Sequence, residues 1–437
     1  MAACSGGGSA GGPLDVLFIT VDDLNDWIPP LGGYPGNMSA PNFERLAGRS
    51  TLFTNAHSQG VSCKASRASA LTGLWPATVG ITGTEASRGL RDALPNALTI
   101  PAHFKSAGYL ALGYGKVLHR PDPPSWDGER FRFLDPAPSR SPLSGVHFPY
   151  FFDWGPIDLP ASFMGDHRKV TAALEAMRKP RTQPLFLGIG LVKPHPPFIV
   201  PREFFDLYPE ASVVLPVRPP GELDDLPEIA ARVMGSGGYQ RRLESRGVVR
   251  DVVRAYLASV SFADAMLGMI LDELDRTRAW DHTVVVLWSD QGFHLGEKER
   301  WQKFTLWEET TRVPLFVAAP GVGRPGARCD RAVGLIDLFP TLVELCGLPA
   351  PQSLEGESLV PLLRDPRAPR ERPALSRWNE HRAVRSDRWR YIRYADGSEE
   401  LYDHESDPGE WTNRAADSSL ATVKAELAAW LERFPRA

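Results

Sequence analysis

Near-continuous apolar runs recur along the chain, separated by stretches with helical periodicity. Such runs are typical of strands buried on both faces, because a strand with one face in water alternates polar and apolar residues. The periodic stretch 251–276 predicts a long helix, and strands that alternate with helices indicate a mostly parallel sheet covered on both faces. The predicted strands of this sheet are 14–21, 109–114, 185–192, 283–288 and 313–319.

The pattern changes near residue 348. The chain turns through Gly347, Leu348 and Pro349, and a stretch rich in Pro and Arg follows at 361–373. Three short segments then alternate like antiparallel strands, and a fourth has the periodicity of an amphipathic helix, at 382–385, 389–394, 400–403 and 421–434. We therefore predict an α/β fold with a smaller C-terminal α+β subdomain, divided into a flexible leader at 1–13, a main domain at 14–348 and the subdomain at 349–437.

Composition narrows the class of protein. The 437 residues include 49 Lys and Arg against 53 Asp and Glu, a formal charge of -4, and 43% are hydrophobic, which describes an ordinary globular chain. The chain has no basic run of the kind that binds nucleic acid through counterion release. Its apolar runs are shorter than the roughly 18 residues that span a bilayer, so we expect no membrane span.

The N-terminus carries a separate signal. Met1-Ala2-Ala3-Cys4-Ser5 and the following Gly/Ser-rich stretch resemble the end of a bacterial lipoprotein signal whose hydrophobic segment is missing, and a plain flexible leader is the alternative. The first interpretation favours a periplasmic or extracellular protein over a cytoplasmic one.

Polar side chains follow four of the predicted strands. Ligands bind outside the carboxyl ends of the strands in open α/β sheets, so these side chains are expected to face one crevice. The segment 121–163, rich in Pro, Ser and aromatic residues, is predicted to form loops over it. The strand-end residues are Asp22 and Asp23, then Lys116 and His119, then Lys193 and His195, and finally Asp290 and Gln291.

The acidic strand ends indicate a cation site. Asp22, Asp23 and Asp290 offer carboxylate oxygens, and Gln291 offers an amide oxygen. Such oxygens suit Ca²⁺ or Mg²⁺ better than Zn²⁺. An aspartate after a strand can also cap a helix or start a turn.

Cys63 begins a helix-like segment after a loop. A helix N-terminus stabilises negative charge on a nucleophile or a bound anion. Arg67, one turn further on, is within reach to hold a tetrahedral oxyanion. The alternative for Cys63 is a small buried hydrophobic residue.

The segment Cys63-x-Ala65-Ser66-Arg67, followed by Leu71-Thr72-Gly73, resembles the signature of the type I sulfatases, which are formylglycine-dependent. The resemblance runs from about residue 14 to near the C-terminus. It is strongest to the iduronate-2-sulfatase branch, through Gly33-Tyr34-Pro35-Gly36-Asn37 and Lys193-Pro194-His195-x-Pro197-Phe198. Further family segments occur in the expected order, at Asp22-Asp23, Gly115-Lys116, Ser289-Asp290-Gln291-Gly292, Lys303, Glu400-Leu401-Tyr402-Asp403 and Asp407-Pro408-Gly409-Glu410.

The resemblance implies an alkaline-phosphatase-like fold and a particular chemistry. In this family a maturation enzyme oxidises the signature cysteine to formylglycine, whose hydrate carries two hydroxyls. One hydroxyl attacks sulfur, and the other later loses its proton to expel sulfate and regenerate the aldehyde. A thiol lacks the second hydroxyl, so Cys63 is implied to be a precursor.

The resemblance also implies roles for the strand-end residues. Asp22, Asp23, Asp290 and Gln291 would bind Ca²⁺, or Mg²⁺, together with residue 63. Arg67 and Lys116 would hold this group in place. His119 would take the proton from the hydrate, and His195 would contact the sulfate or protonate the leaving alcohol. Lys193 and Lys303 would neutralise sulfate oxygens.

Two positions depart from the family pattern: residue 65 is Ala where Pro is commoner, and residue 291 is Gln where Asn or His is commoner. The predicted function is a sulfatase acting on a sulfated carbohydrate, with a uronate-like sugar as the first choice. One alternative is a phosphodiester or phosphonate monoester hydrolase, since sulfate and phosphate esters share a tetrahedral shape. The other is a non-catalytic binder of sulfated glycans. Cys346 is predicted to be a core residue, and Cys329 and His294 have no predicted role.

Overall fold

The structure is a computed structural model that describes residues 12–83, 89–138, 141–148, 152–233 and 238–433. Its strands are β1 Asp15–Val21, β2 Thr51–His57, β3 Leu110–Gly115, β4 Gly128–Arg130, β5 Trp154–Ile157, β6 Leu185–Leu191, β7 Phe198–Pro201, β8 Thr283–Ser289, β9 His294–Leu295, β10 Trp301–Gln302, β11 Arg312–Ala318, β12 Arg328–Cys329, β13 Val333–Gly334, β14 Ala374–Trp378, β15 His381–Arg385, β16 Trp389–Arg393 and β17 Glu399–Asp403. Its α-helices are α1 Pro41–Arg49, α2 Cys63–Thr72, α3 Pro76–Val79, α4 Leu90–Ala93, α5 Ile100–Ser106, α6 Gly165–Met177, α7 Arg202–Asp206, α8 Glu228–Val233, α9 Gly238–Glu244, α10 Val249–Thr277, α11 Glu308–Thr311, α12 Leu338–Leu345, α13 Val360–Arg364 and α14 Ala421–Leu431.

The central sheet has the order β12-β2-β11-β8-β1-β6-β3-β4, and β13 also pairs with β2. Its pairs are parallel except for those of β11, which runs antiparallel to β2 and β8. In register, Val21 at the end of β1 lies beside Leu191 of β6 and Ser289 of β8. The predicted mostly parallel sheet is confirmed, and its register brings the polar strand ends side by side.

Both faces of the sheet are buried, as the continuous apolar runs predict. In β1, Leu17, Ile19 and Val21 face one hydrophobic cluster, whereas Val16 and Phe18 face another. Helices α1, α6 and α10 contribute to the first cluster, and α2, α5 and α12 to the second.

Helix α10 is the predicted long helix, and it extends over Val249–Thr277. In the described part of the chain it alone is long and apolar enough to cross a membrane by length and composition, but 83% of its most apolar window is buried inside the protein. It is packed as a core helix.

The C-terminal segment forms an antiparallel sheet in the order β14-β15-β16-β17, with α14 packed against β15 and β16. Its first strand, Ala374–Trp378, was not predicted from the sequence, and neither was β2. The predicted division of the chain at residues 348 and 349 stays a prediction.

Two predictions concern segments that the structure describes only in part. Segment 121–163 contains short strands, β4 at the edge of the central sheet and β5 paired with β7, in addition to loops. Cys4 and residues 1–11 of the predicted leader lie outside the described residues.

Candidate active site

Asp22 and Asp23 directly follow β1, and Asp290 directly follows β8. All three side chains are buried, with no exposed surface. The backbone N–H of Asp23 donates to Asp290 Oδ1 over 3.2 Å, and Asp23 adopts a left-handed backbone with φ of 58°. The register of β1 and β8 therefore gathers three carboxylates at one point of the sheet edge, as the sequence predicts.

Cys63 is the first residue of α2, whose ten residues are all buried. The helix begins there because Ser62 caps it, its Oγ accepting from the Ala65 N–H at 3.3 Å. The preceding loop comes very close, since a Cβ on Gly60 would lie 2.5 Å from the Ala65 Cβ. The helix N-terminus thus presents the Cys63 side chain to the strand ends.

The Cys63 sulfur lies inside the group of acidic side chains. Ligand atoms of Asp22, Cys63 and Asp290 all lie within 4.8 Å of one another. Lys303 Nζ donates to the Cys63 Sγ over 2.9 Å, and Gln291 Nε2 does so over 3.1 Å. Burial raises the pKa of the Cys63 thiol, although Lys116 and Lys303 oppose the shift. The thiol is therefore neutral at neutral pH, and a neutral thiol is a poor nucleophile.

Arg67 binds the carboxylates rather than facing an open crevice. Its Nε donates to Asp290 Oδ2 over 2.7 Å, and its Nη2 donates to Asp22 Oδ1 over 3.2 Å. Its Nη1 donates to Thr20 Oγ1 over 3.1 Å and to the carbonyl oxygens of Lys116 and Val117. Each guanidinium nitrogen is thus engaged, so the geometry favours the positioning role over direct contact with an oxyanion.

Lys116 completes the support of Asp22, donating from Nζ to Asp22 Oδ2 over 2.5 Å. Burial alone would raise the pKa of Asp22, but the positive charges of Lys116 and Arg67 hold it well below its usual range. Burial also raises the pKa of Asp290, to about 6, against the opposing charge of Arg67. Asp22 is therefore ionised, and a further positive charge would stabilise the ionised form of Asp290.

The donor set fits a hard divalent cation. Asp23 Oδ2 and Gln291 Oε1 are buried and find no hydrogen-bond partner among the described residues. Such orphaned oxygens are costly unless they bind something. Together with Asp22 and Asp290 they form an oxygen-rich set of the type that Ca²⁺ and Mg²⁺ prefer. The residues present therefore fit the predicted cation, and Gln291 supplies an amide oxygen despite its extra length.

His195 reaches the same group from the end of β6. Its Nε2 lies 3.8 Å from Asp23 Oδ2, and its backbone N–H donates to the Val192 carbonyl over 2.8 Å. Desolvation in the cleft lowers the pKa of His195, although Asp23 and Asp22 oppose the shift. The imidazole is thus neutral and directed at the acidic cluster.

Lys193 is not brought to the Cys63 sulfur. Its Nζ donates to the Pro197 carbonyl over 2.6 Å and lies 3.5 Å from Asp135 Oδ2, with 1% of the residue exposed. The ammonium group therefore holds the turn that carries His195. The predicted contact of Lys193 with substrate stays a prediction.

His119 lies three residues after Lys116, beyond the end of β3. It lines a cavity of about 190 Å³ together with Lys64, Arg91 and Asp122. Burial and the charges of Lys116 and Arg67 lower the pKa of His119 to about 3, and its Nδ1 is buried without a partner among the described residues. A neutral imidazole with an open nitrogen is equipped to accept a proton.

We expect His119 to stay neutral throughout the mildly acidic range. A lowered pKa means that the imidazole takes up a proton only as the pH falls toward 3, well below the usual histidine value of about 6.5. Titration of ¹³C-labelled histidines by NMR, assigned with His119→Gln, checks this. A midpoint for His119 near the usual value would contradict the geometry of the site.

The structure adds supporting residues that the sequence did not indicate. Asp166, at the start of α6, accepts from the N–H groups of Val192 and Lys193, each over 2.9 Å. Lys169 Nζ donates to Asp166 over 2.5 Å and to the Gly190 carbonyl over 2.6 Å. Both side chains are buried and fix the end of β6. A buried Asp-x-x-Lys at a helix start was the available signal, but nothing in the sequence pairs it with residue 192.

His294, Cys329 and Cys346 make no contact with the acidic group among the described residues. His294 is buried, and its Nε2 lies 2.8 Å from Thr305 Oγ1. Cys329 is buried in β12, and Cys346 ends α12. None of them is among the described contacts of Cys63.

Known sulfatases resemble this chain over most of its length. The family model "Sulfatase" matches residues 15–348, and the model "N-sulphoglucosamine sulphohydrolase, C-terminal" matches residues 296–436. A sulfatase of Formosa agariphila is 36% identical over 441 residues, covering 94% of this chain and 86% of the relative. Human iduronate 2-sulfatase is 30% identical over 389 residues, covering 77% of this chain and 70% of the relative.

The fold has solved counterparts. A phosphonate monoester hydrolase from Silicibacter pomeroyi superposes with a TM-score of 0.80 at 22% identity, covering 96% of this chain and 94% of the other. This likeness confirms the alkaline-phosphatase-like architecture. Because a sulfatase family model matches most of the chain and the iduronate 2-sulfatase similarity is confirmed, the chain belongs to the type I sulfatase family and is a sulfuric ester hydrolase.

Proposed function

We propose that the protein hydrolyses a sulfate ester on a carbohydrate, using residue 63 as formylglycine and a divalent cation. The observation that carries the proposal is the convergence of Cys63 with Asp22 and Asp290 within 4.8 Å at the sheet edge. A lone buried cysteine needs no such surroundings. Carboxylates beside a nucleophile would hold a cation there, and that cation would offset the negative charge that builds up during attack on an anionic ester.

The proposed cation is Ca²⁺, with Mg²⁺ as the alternative. Asp22, Asp23, Asp290, Gln291 and residue 63 would hold it. When bound, such a cation polarises a sulfate oxygen and lowers the pKa of a neighbouring hydroxyl. Arg67 pairs with Asp22 and Asp290, and Lys116 pairs with Asp22, so these two cationic side chains hold the two carboxylates in place.

Residue 63 needs conversion before it can react, and a formylglycine-generating enzyme is the implied partner. Once hydrated, a formylglycine supplies one hydroxyl for attack on sulfur and a second whose deprotonation expels sulfate. The α2 N-terminus and Lys303 Nζ, which is 2.9 Å from the present sulfur, place positive charge beside this atom.

Proton transfer falls to the two histidines. His119 has a lowered pKa and an open buried nitrogen, which suits the removal of a proton from the hydrate. His195 lies 3.8 Å from Asp23 and is partly exposed, which suits contact with the sulfate or protonation of the leaving alcohol. Lys303 neutralises sulfate oxygens from the buried side.

The proposed substrate is a sulfated sugar, with a uronate 2-sulfate as the first choice. The 30% identity to human iduronate 2-sulfatase supports this class. A screen of sulfated mono- and disaccharides with the matured enzyme would identify the sugar and the sulfate position.

A phosphonate or phosphodiester hydrolase is the alternative that a specific observation favours, namely the likeness to the phosphonate monoester hydrolase. At 22% identity this likeness concerns the fold alone. Rates on 4-nitrophenyl sulfate, 4-nitrophenyl phosphate and a phenylphosphonate monoester, measured side by side, separate the two functions. We expect the sulfate to be the fastest; faster turnover of either phosphorus ester would overturn the proposal.

A glycan binder without catalysis is the remaining alternative. Such a protein has no use for Arg67 and Lys116, the two cationic side chains that pair with the acidic neighbours of Cys63. Binding of a sulfated disaccharide without release of sulfate by the matured protein would favour it.

The cation makes a prediction of its own. Adding Ca²⁺ to chelator-treated protein is expected to raise the unfolding free energy, by about 2.7 kcal/mol at 100 times the dissociation constant. Thermal unfolding with and without Ca²⁺ measures this without reference to activity. In Asp290→Asn the increase should be lost, whereas in Asp272→Asn, a surface carboxylate, it should persist. An unfolding midpoint that does not change when Ca²⁺ is added to the parent protein would argue against a Ca²⁺ site.

A further inference from the structure

Lys303 stands at the start of a short connection between β10 and β11, residues 303–311, which we call the lysine loop. The residues on either side of Lys303 have left-handed backbones, Gln302 with φ of 76° and Phe304 with φ of 74°. Neither is glycine, so both conformations are strained and persist only where the surroundings fix them. The lysine loop therefore needs an external support.

The support comes from Arg390 in β16 of the C-terminal sheet. This side chain is buried, with no exposed surface. Its Nη1 donates to the Leu306 carbonyl over 2.8 Å, and its Nη2 donates to Thr311 Oγ1 over 2.9 Å. It also forms ion pairs with Glu308 and Glu410. One planar guanidinium thus bridges the lysine loop near its middle and at its end, which a single ammonium point charge cannot do.

Neighbouring residues of the C-terminal segment bind the same loop. Trp307 Nε1 donates to Glu400 Oε2 over 2.8 Å, and the Glu308 N–H donates to Glu410 Oε2 over 3.0 Å. Arg385 Nε donates to Glu308 Oε2 over 3.0 Å. These contacts place the lysine loop between the catalytic strand ends and the C-terminal sheet.

Glu308, His404 and Glu410 have ligand atoms within 4.8 Å of one another, which is the spacing of a metal site. Arg385 and Arg390 already neutralise these carboxylates. The group is therefore an ion-pair network, and its contacts to the lysine loop are what it can contribute to the active site.

We propose that Arg390 is a positioning residue that acts through the lysine loop to hold Lys303 against Asp23 and residue 63. The expected effect on turnover rests on the proposed function. The claim that Arg390 fixes the position of the lysine loop does not. Lys303 Nζ donates to Asp23 Oδ1 over 2.6 Å and to the Cys63 Sγ over 2.9 Å, and 8% of the residue is exposed. A loop that shifts by a fraction of these distances breaks both contacts.

A double-mutant cycle tests the effect of Arg390 on turnover. Arg390→Lys is expected to lower kcat by about 10- to 100-fold with KM changed by less than about threefold, because a misplaced group costs rate more than binding. In a Lys303→Ala background the same change should cost less than about twofold, since the lysine to be positioned is gone. Equal losses in both backgrounds would show a general structural role and overturn the proposal.

The matched control is Arg370→Lys. Arg370 is an arginine with 8% of its side chain exposed, and it pairs with Asp337 over 2.7 Å rather than with the lysine loop. It should leave kcat within about twofold of the parent in both backgrounds. A loss equal to that of Arg390→Lys would also overturn the proposal.

Hydrogen exchange tests, without any substrate, whether Arg390 holds the lysine loop in place. Amides of residues 303–311 should exchange faster in Arg390→Lys than in the parent or in Arg370→Lys, and unchanged exchange would overturn the proposal. If the parent hydrolyses no sulfate ester, the proposed function fails, and exchange alone decides the role of Arg390. If Arg390→Lys does not fold, the milder Trp307→Phe, which removes one contact to Glu400, gives the same comparison.

Discussion

Replacement of Cys63 by Ala is expected to lower turnover of sulfate esters by about 10⁴-fold or more, because alanine cannot be converted to formylglycine and the proposed nucleophile is lost. The fold should survive. The change removes one sulfur atom, which accepts hydrogen bonds from Lys303 and Gln291, at a cost of about 1–2 kcal/mol. Sulfate release checks the loss of turnover, and thermal unfolding of the same preparation checks that the fold survives.

Cys346→Ala is the matched control, since Cys346 is a free cysteine at the end of α12. It should retain full turnover. Turnover of Cys63→Ala within tenfold of the parent would mean that residue 63 is not the nucleophile. An unfolded Cys63→Ala would mean that the cysteine belongs to the core rather than to the site.

Replacement of Arg67 by Met is expected to lower both stability and turnover. The guanidinium has no exposed surface and bridges Asp22 and Asp290, so the substitution leaves two buried carboxylates with less compensation. Breaking a buried pair in this way costs about 3–5 kcal/mol. Turnover should fall by about 100-fold, as for other residues that orient metal ligands.

Urea unfolding and rates on a sulfate ester measure these effects. Arg45→Met serves as the comparison, because Arg45 pairs with Asp272 and Asp275 at the surface with 42% of its side chain exposed. Exposed pairs contribute about 1 kcal/mol or less. If Arg67→Met were no less stable than Arg45→Met, the buried bridge would not be what holds the carboxylates.

The sequence predicts those strands of the central sheet that are buried on both faces. Continuous apolar runs identify β1, β6, β8 and β11 because both faces of these strands meet helices. The strand β2 was missed, since Thr51, Thr54 and Asn55 interrupt its apolar pattern. Its place beside β11 is set by long-range pairing, which a local pattern does not contain.

The residues of the site could likewise be predicted only where the signal is local. Residues in local motifs, such as Asp22, Cys63 and Asp290, could be singled out because strand ends and a helix start point to chemistry. The partners of Arg67 could not be deduced, because Asp290 lies 223 residues away. The contact of Arg390 with Leu306 could not be predicted either, since it joins positions 84 residues apart. Only the folded chain brings the C-terminal sheet into contact with the lysine loop.

The central claim is that residue 63 is chemically converted inside the acidic group. The most direct measurement is the mass of the peptide that contains residue 63, from protein produced together with a formylglycine-generating enzyme. The account predicts a peptide that has lost one sulfur and two hydrogen atoms and gained one oxygen, in preparations that release sulfate. Wholly unmodified cysteine in a preparation that turns over sulfate esters would contradict it.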